Sequence, residues 1–539
     1  MKVNIKKNEW TLLLLLLFAG TLSAQTGVGN EEVIIIKEHQ ANVKDANKVE
    51  LAPISPDIEV KKPSLTYTIP SKEFKEIPFE LNPLKPIGMS KEKLEKHNTS
   101  YIKVGFGSQL TPLVDFAYND VKSKNLKFGV FYKHLSQYGF KIKNQKYSID
   151  APGVYLQYFP STYELGTSFR FTNHRLHFYG TPDTTYEDKA IRQVFRDFDA
   201  SLFFKNTQKN KLDINFITQA NFDYFLETFG KSKEYFIQGK IGLDKSFKKF
   251  HKVGGNFDID YSSYKTTTQT LNRNIFFTYL FYQFNNNDWK ANAGVSLGTD
   301  GSKFIPLPDL SLEKRLYKNY FIAYAGWNIR YQKNSFRSLT KVNEFVLSDL
   351  TIKNTSISSI YGGFKGTISG FSYNLMFAYK DIRNMPFYYT DSIDTKRFYV
   401  AYDPKVKIFN GHIELGYNYE ESLKILLTAD INTYSLAANA KAWYEPLFKA
   451  NLKASYAIKK KIIIGADVFG FSTYYGYHPV LGAQQIKGTA DANISIDYIF
   501  NKHFSFFGTL NNIAHQRYQK WLNYPVYGIN GLVGAKFSF

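Results

Sequence analysis

The chain contains no cysteine. That excludes disulfide bonds, thiolate metal sites and a cysteine nucleophile. Long apolar runs are also missing. The one that exists, Leu12 to Ala19, stands at the extreme N-terminus, whereas a helical membrane protein repeats runs of about 20 apolar residues. Basic patches and basic helices are absent despite a formal charge of +21, because the Lys and Arg residues alternate with aromatics. No nucleic-acid partner is expected from that pattern. No His, Asp or Glu grouping has metal-ligand spacing, and no cofactor is expected. The closest histidine pair, His174 and His177, has an odd spacing that sends the two rings to opposite faces of a strand.

What is abundant is aromatic: 40 Tyr and 47 Phe, with aromatics at 17% of the chain. The mean hydropathy is nevertheless slightly negative. Many aromatics and glycines without helical spans suit a transmembrane barrel, in which alternate residues face lipid and aromatics line both interfaces.

Three regions follow from the pattern. Residues 1–24 have a signal-peptide layout: Lys2, Lys6 and Lys7, then the apolar Trp10 to Gly20, then Leu22-Ser23-Ala24 before Gln25. Residues 25–98 hold seven of the 18 prolines, between Pro53 and Pro86. They read as a mostly extended periplasmic segment, with part of 60–98 expected at the periplasmic mouth and 25–59 reaching another protein. Residues 99–539 alternate apolar and polar positions in runs about twice the usual strand length. Phe257, Ile259 and Tyr261 interleave with Asn256, Asp258 and Asp260; Ile413, Leu415, Tyr417 and Tyr419 interleave with Glu414, Gly416, Asn418 and Glu420. Ala492, Ile494, Ile496, Tyr498 and Phe500 do the same with Asn493, Ser495 and Asp497. A period of two gives each run one apolar and one polar face, and closure removes the unpaired edges that hydrocarbon penalises.

The expected fold is all-β: a closed antiparallel transmembrane barrel of about 22 strands with both termini periplasmic. Tight turns are expected at Asn206–Asn210 and Phe500–His503, and long extracellular breaks near 178–191, 334–356, 381–396, 471–486 and 512–528. Asp258, Asp260, Glu414, Glu420 and Asp497 are expected in the lumen, setting ion selectivity or pairing with cations across strands. Trp289, Trp327, Trp443 and Trp521 are expected as interface anchors. The last strand alternates Ile529, Gly531, Val533, Ala535, Phe537 and Phe539 with Asn530, Leu532, Gly534, Lys536 and Ser538. Phe537 and Phe539 are the expected barrel-closure and assembly signal.

Other motifs have poor context for chemistry. Gly294-Val295-Ser296-Leu297-Gly298 matches a nucleophile elbow but lies inside an alternating run without a following helix. Gly362-Gly363-Phe364-Lys365-Gly366 lacks the strand-to-helix setting of a phosphate loop and suits a kinked strand. A membrane-embedded hydrolase needs a Ser-His pair on neighbouring strands at the lipid face, and spacing argues for none.

Leu510-Asn511-Asn512-Ile513-Ala514, Arg517-Tyr518, Tyr524-Pro525, Gly528 and the terminal strand resemble the closing segment of TonB-dependent receptors. Phe304 to Arg315 resembles a mid-barrel strand of that family, and Val33–Pro53 with Leu65-Thr66-Tyr67 resembles a Bacteroidota group of receptor-like barrels. The resemblance covers roughly 101–539. Family members carry a plug before the barrel, and no plug pattern stands in residues 25–98. The resemblance therefore implies a non-enzymatic outer-membrane barrel of a Gram-negative bacterium, lacking its own plug. It would act as a passive conduit or as a structural component of an outer-membrane complex. Implied partners are outer-membrane lipid and lipopolysaccharide, the barrel assembly machinery, and a periplasmic or outer-membrane protein. The alternatives are TonB-dependent uptake of a bulky solute with a plug supplied by a partner, and the membrane-embedded hydrolase.

Overall fold

The computed structural model describes residues 99–120, 123–139, 141–180, 186–301 and 303–539. The expectations placed on residues 1–98, the signal peptide and the periplasmic segment, lie outside the described residues. From Tyr101 to Ser538 the chain forms a 22-stranded antiparallel sheet in which the first strand, Tyr101–Gly107, pairs with the last, Asn530–Ser538. The sheet is therefore closed and has no free edge. Its strands run from 7 to 16 residues, long enough for most of them to cross hydrocarbon at a tilt.

The alternation of the sequence is the alternation of the wall. Val104, Phe106, Phe257, Ile259, Leu280, Ile413, Ile494 and Ile496 are each more than a third exposed on the outer face. Their polar neighbours point inward, where Asp258 lies 3.9 Å from Lys240 across one strand pair. Among the described residues no helix is long and apolar enough to cross a membrane. The apolar outer belt is the crossing surface, and the fold is that of a transmembrane β-barrel.

The two ends of the barrel differ. At the end that carries the termini, every connection is tight, from 369–370 to 207–214. At the far end are long excursions: 178–191, 333–354, 384–405, 437–447, 472–488 and 512–529. The sequence identified five of these; 437–447 had no marker, and the 384–405 excursion runs past its expected end as the hairpin Met385–Thr390/Phe398–Asp403. The run Lys290 to Gly298 sits within the unbroken strand Trp289–Asp300, so no nucleophile elbow forms there. Gly362 to Gly366 lies within the continuous strand Thr355–Ile368, paired with both neighbours as far as Lys365 without a register break, so no phosphate loop forms there.

Candidate functional site: the mouth at the far end

The described parts of the six long far-end loops meet one another. They fold inward and share one buried core that runs from Phe178 and Phe195 through Phe336, Phe345, Phe398 and Trp443 to Trp521 and Tyr524. At its centre are aromatic rings from three loops rooted far apart around the wall. Phe345 stacks on Tyr524 with centroids 3.6 Å apart, and Tyr179 meets Tyr524 edge-on at 5.0 Å. These residues belong to 333–354, 512–529 and 178–191, which leave the wall about a third of its circumference from one another. Loops that far apart can meet only across the mouth. Gly180 lies flat beneath Tyr524, where a Cβ would sit 2.4 Å from the ring.

Backbone pairing fastens the loops to one another. Phe398 donates its N–H to the Phe345 carbonyl at 3.0 Å, and Leu347 donates to the Phe398 carbonyl at 2.7 Å. Tyr444 donates to the Tyr475 carbonyl at 2.8 Å. Tyrosine hydroxyls add further ties: Tyr179 donates to the Pro525 carbonyl at 3.0 Å, Tyr474 to that of Gln519 at 2.8 Å, and Tyr524 to that of Lys396.

Buried ion pairs then dock this cap on the opposite wall. The short helix Phe336–Val342 starts at a Ser335/Ser338 capping box. Its first N–H groups, on Phe336 and Arg337, donate to the Glu234 carboxylate at 3.3 and 2.9 Å. Arg337 reaches Asp197 at 2.7 Å and Asp223 at 3.4 Å, and also pairs with Asp199. Burial opposes its charge, but the three carboxylates outweigh that and raise its pKa above the usual arginine value. Arg397, on the hairpin loop, pairs with the fully buried Glu227 at 3.2 Å and lies over Phe178 and Phe229. Burial is the larger influence there and lowers its pKa. Asp403 closes the hairpin by accepting the N–H groups of Ala438, Asn439 and Lys405, each at 3.0 Å. Burial alone would raise its pKa; the donors hold it below the usual carboxylate range.

The sequence-expected residues divide. Asp260 does face the lumen, and its partner is Lys333 of the cap rather than a neighbouring strand. Glu414 and Asp497 also lie on inward positions, Asp497 within electrostatic reach of Lys103 and Lys536. Glu420 does not: it occupies a tight turn at the terminal end with φ 49°. Trp443 and Trp521 are not interface anchors; both are 5% exposed inside the loop core, because their loops fold into the mouth. Trp327 faces outward from mid-strand, and Trp289 opens its strand at the terminal end beneath Lys314. His174 and His177 separate as expected, toward Glu344 at 3.7 Å and Asp188 at 3.0 Å. Among the described residues no group of three His, Asp or Glu side chains is placed to hold a metal. Phe537 and Phe539 sit at the seam: their rings stack at 5.7 Å, and Phe539 exchanges backbone hydrogen bonds with Ser100.

Solved structures share this barrel. One is the FrpB iron transporter from Neisseria meningitidis, with TM-score 0.66 and 10% identity, covering 83% of this chain and 82% of that one. Another is the ferric-catecholate import receptor Fiu from E. coli, with TM-score 0.65 and 11% identity, each chain covered to 82%. FpvA of P. aeruginosa, solved with an iron–pyoverdine complex, gives 0.63 at 10% identity and covers 83% of this chain and 72% of its own. The chain shares their barrel fold. No protein-family model and no curated protein sequence matches it.

Proposed function

We propose that this protein is an outer-membrane barrel of receptor shape whose external mouth is closed by its own loops, serving as a structural component of an outer-membrane complex rather than as an open conduit. The single observation that carries this is the aromatic junction of Tyr179, Phe345 and Tyr524, which joins loops from three parts of the rim. A conduit needs a clear mouth; loops that meet through a shared apolar core and buried ion pairs argue against one. The orientation rests on loop length, since barrels in outer membranes carry short periplasmic turns and longer external loops. On that rule both termini would lie in the periplasm, where residues 25–98 would meet a partner protein. TonB-dependent uptake draws support from the shared fold alone, because the aromatics a ligand would meet are buried against each other.

Planar-bilayer recording of the full chain tests the closure. The expected record is a silent membrane for the parent and conducting steps for the Phe345→Ala/Tyr524→Ala double variant. Steady conductance by the parent would overturn the reading. Purification from native membranes should bring a stoichiometric protein partner with it; a barrel isolated alone under mild detergent would argue against the structural role.

A further inference from the structure

A second constellation lies on the outer face of the barrel. Its side of the wall follows from register. Asp197 and Asp199 touch Arg337 of the cap and so face inward. Arg196 on the same strand therefore faces out, and with it Asn173, Asp150 and His134, its lateral partners on three successive neighbouring strands. Ser136, two residues beyond His134, shares that face.

On this face His134 Nδ1 is 2.7 Å from Asp150 Oδ1, and Ser136 Oγ is 3.4 Å from His134 Nε2. The Asp150 carboxylate also accepts from the Tyr132 hydroxyl at 3.1 Å and from Asn173 Nδ2 at 3.5 Å. This is the order of a nucleophile, a base and a group that orients the base. The Ser–His distance is longer than in a working complex, as is common before substrate arrives. His134 and Asp150 are about a quarter exposed, at 24% and 25%, and Ser136 is 6% exposed against the wall.

The surroundings are those of a lipid interface. Below the triad, toward the terminal end, the same face carries Val130, Val154 and Phe169, with Val130 paired to Val154 and Val154 to Phe169. His134 lies eight residues along its strand from Leu126, where the belt begins. At about 3.4 Å per residue and a tilt near 40°, that is roughly 20 Å of height, near the far edge of an apolar band about 25 Å tall. Level with Ser136 and Ser148, and laterally paired with Ser148, stands the exposed Arg175. Beside the triad an outward apolar groove of about 280 Å³ is lined by Phe169, Phe198, Ala200, Phe222, Tyr224 and Leu226. Ala200 opens it between larger neighbours; its near wall is two strands across from His134 and, at Phe169, four residues lower, so the groove begins about 17 Å from the imidazole.

We propose that His134, Ser136 and Asp150 form a hydrolytic site for acyl esters of membrane lipids, with the acyl chain lying in the Phe169–Leu226 groove. This rests on the membrane reading of the outer face, not on closure of the mouth. Ser136 Oγ attacks the ester carbonyl carbon and its proton passes to His134 Nε2. The tetrahedral oxyanion forms within reach of the Arg175 guanidinium. Collapse breaks the ester C–O bond, and His134 returns the proton to the departing alcohol. Water, deprotonated by His134, then cleaves the acyl-serine and releases fatty acid and free Ser136. One water is consumed per ester and no other reactant is needed. Asp150 is a positioning residue: it holds the imidazole with Nε2 free to accept.

The sequence carried a signal for this site: His134-Leu135-Ser136 in an alternating run places both side chains on one face. Residues at i and i+2 of one strand share a face, so this Ser–His pair needs no second strand.

The experiment uses the full chain purified in non-ionic detergent and labelled with a fluorophosphonate, which reports an activated serine whether or not the lipid substrate has been identified. Labelling of the parent and its loss in Ser136→Ala, a substitution on the outer surface that leaves barrel pairing intact, is the expected result. Fatty-acid release is measured in parallel from phosphatidylethanolamine vesicles and from lipid A, and should fall by about 10³-fold or more in Ser136→Ala and His134→Ala. The arm that releases acid identifies the lipid source. Asp150→Asn should keep the heat-modifiable barrel and lower the rate across the whole pH profile, whereas a merely structural Asp150 would leave the profile unmoved. Absence of both labelling and release in folded parent protein would overturn the proposal.

Discussion

Replacing Arg337 with methionine keeps the apolar stem of the side chain and removes its charge. Arg337 is 16% exposed and is shared by Asp197, Asp199 and Asp223. Its loss leaves those carboxylates beside a buried loop without their central cation. Removing one partner of a buried ionic cluster destabilises by about 3–5 kcal/mol. The barrel itself is held by its continuous ladder, so this loss falls on docking of the 333–354 loop. At 1.4 kcal/mol per factor of ten, the undocked population should rise about 150- to 4,000-fold. Limited proteolysis reads this directly, because cleavage of an opened loop tracks its population when reclosing is fast. The Arg337→Met protein in detergent should be cut within 333–354 at least 100-fold faster than the parent, with the barrel fragment still heat-modifiable. Combining Arg337→Met with Asp197→Asn and Asp223→Asn should recover much of the resistance, since the remaining carboxylate, Asp199, keeps Arg170 at 3.2 Å as its partner. An unchanged cleavage rate in Arg337→Met, or no recovery in the combined variant, would refute the docking argument.

Two further outcomes are expected. Asp403 has a lowered folded-state pKa, so its contribution is present above the ordinary carboxylate value of about 3.9 and is lost as pH falls through the lower folded value. Protease resistance of 437–447 should thus be flat from pH 5 to 8 and decline only in strong acid, while Asp403→Asn should weaken it at neutral pH by about 1.5–3 kcal/mol; a decline beginning near pH 6 would rule Asp403 out. Deleting Phe539 removes its two backbone bonds to Ser100 and its stacking on Phe537, about 2 kcal/mol in all, too little to open a 22-strand wall. If the terminal aromatic is read during assembly, insertion yield in cells should nevertheless fall several-fold; normal yield would remove that role.

The wall was legible because a barrel in lipid is governed by a local rule. Each residue faces hydrocarbon or the interior, the period is two, and Phe257, Ile259, Ile413 and Ile494 declare their side with no reference to distant parts of the chain. Strand length, the even strand number and the tight turns follow from bilayer thickness and closure, so the sequence alone determined the fold class and put the strand number at about 22, and the closed sheet fixed it at 22. The mouth was not legible. Tyr179, Phe345 and Tyr524 lie in segments without periodicity, and nothing local distinguishes a loop that stands in water from one that folds across the lumen. Trp443 and Trp521 looked like interface anchors for the same reason: an aromatic near a strand end satisfies either setting, and only the meeting of loops from opposite parts of the rim buries them. Asp260 shows the same division within one residue. Its inward direction came from the alternation Phe257–Tyr261, but its partner, Lys333, comes from a loop rooted elsewhere on the wall. Contacts between residues far apart in sequence depend on which loops the closed circumference brings face to face, and that is settled only when the barrel closes.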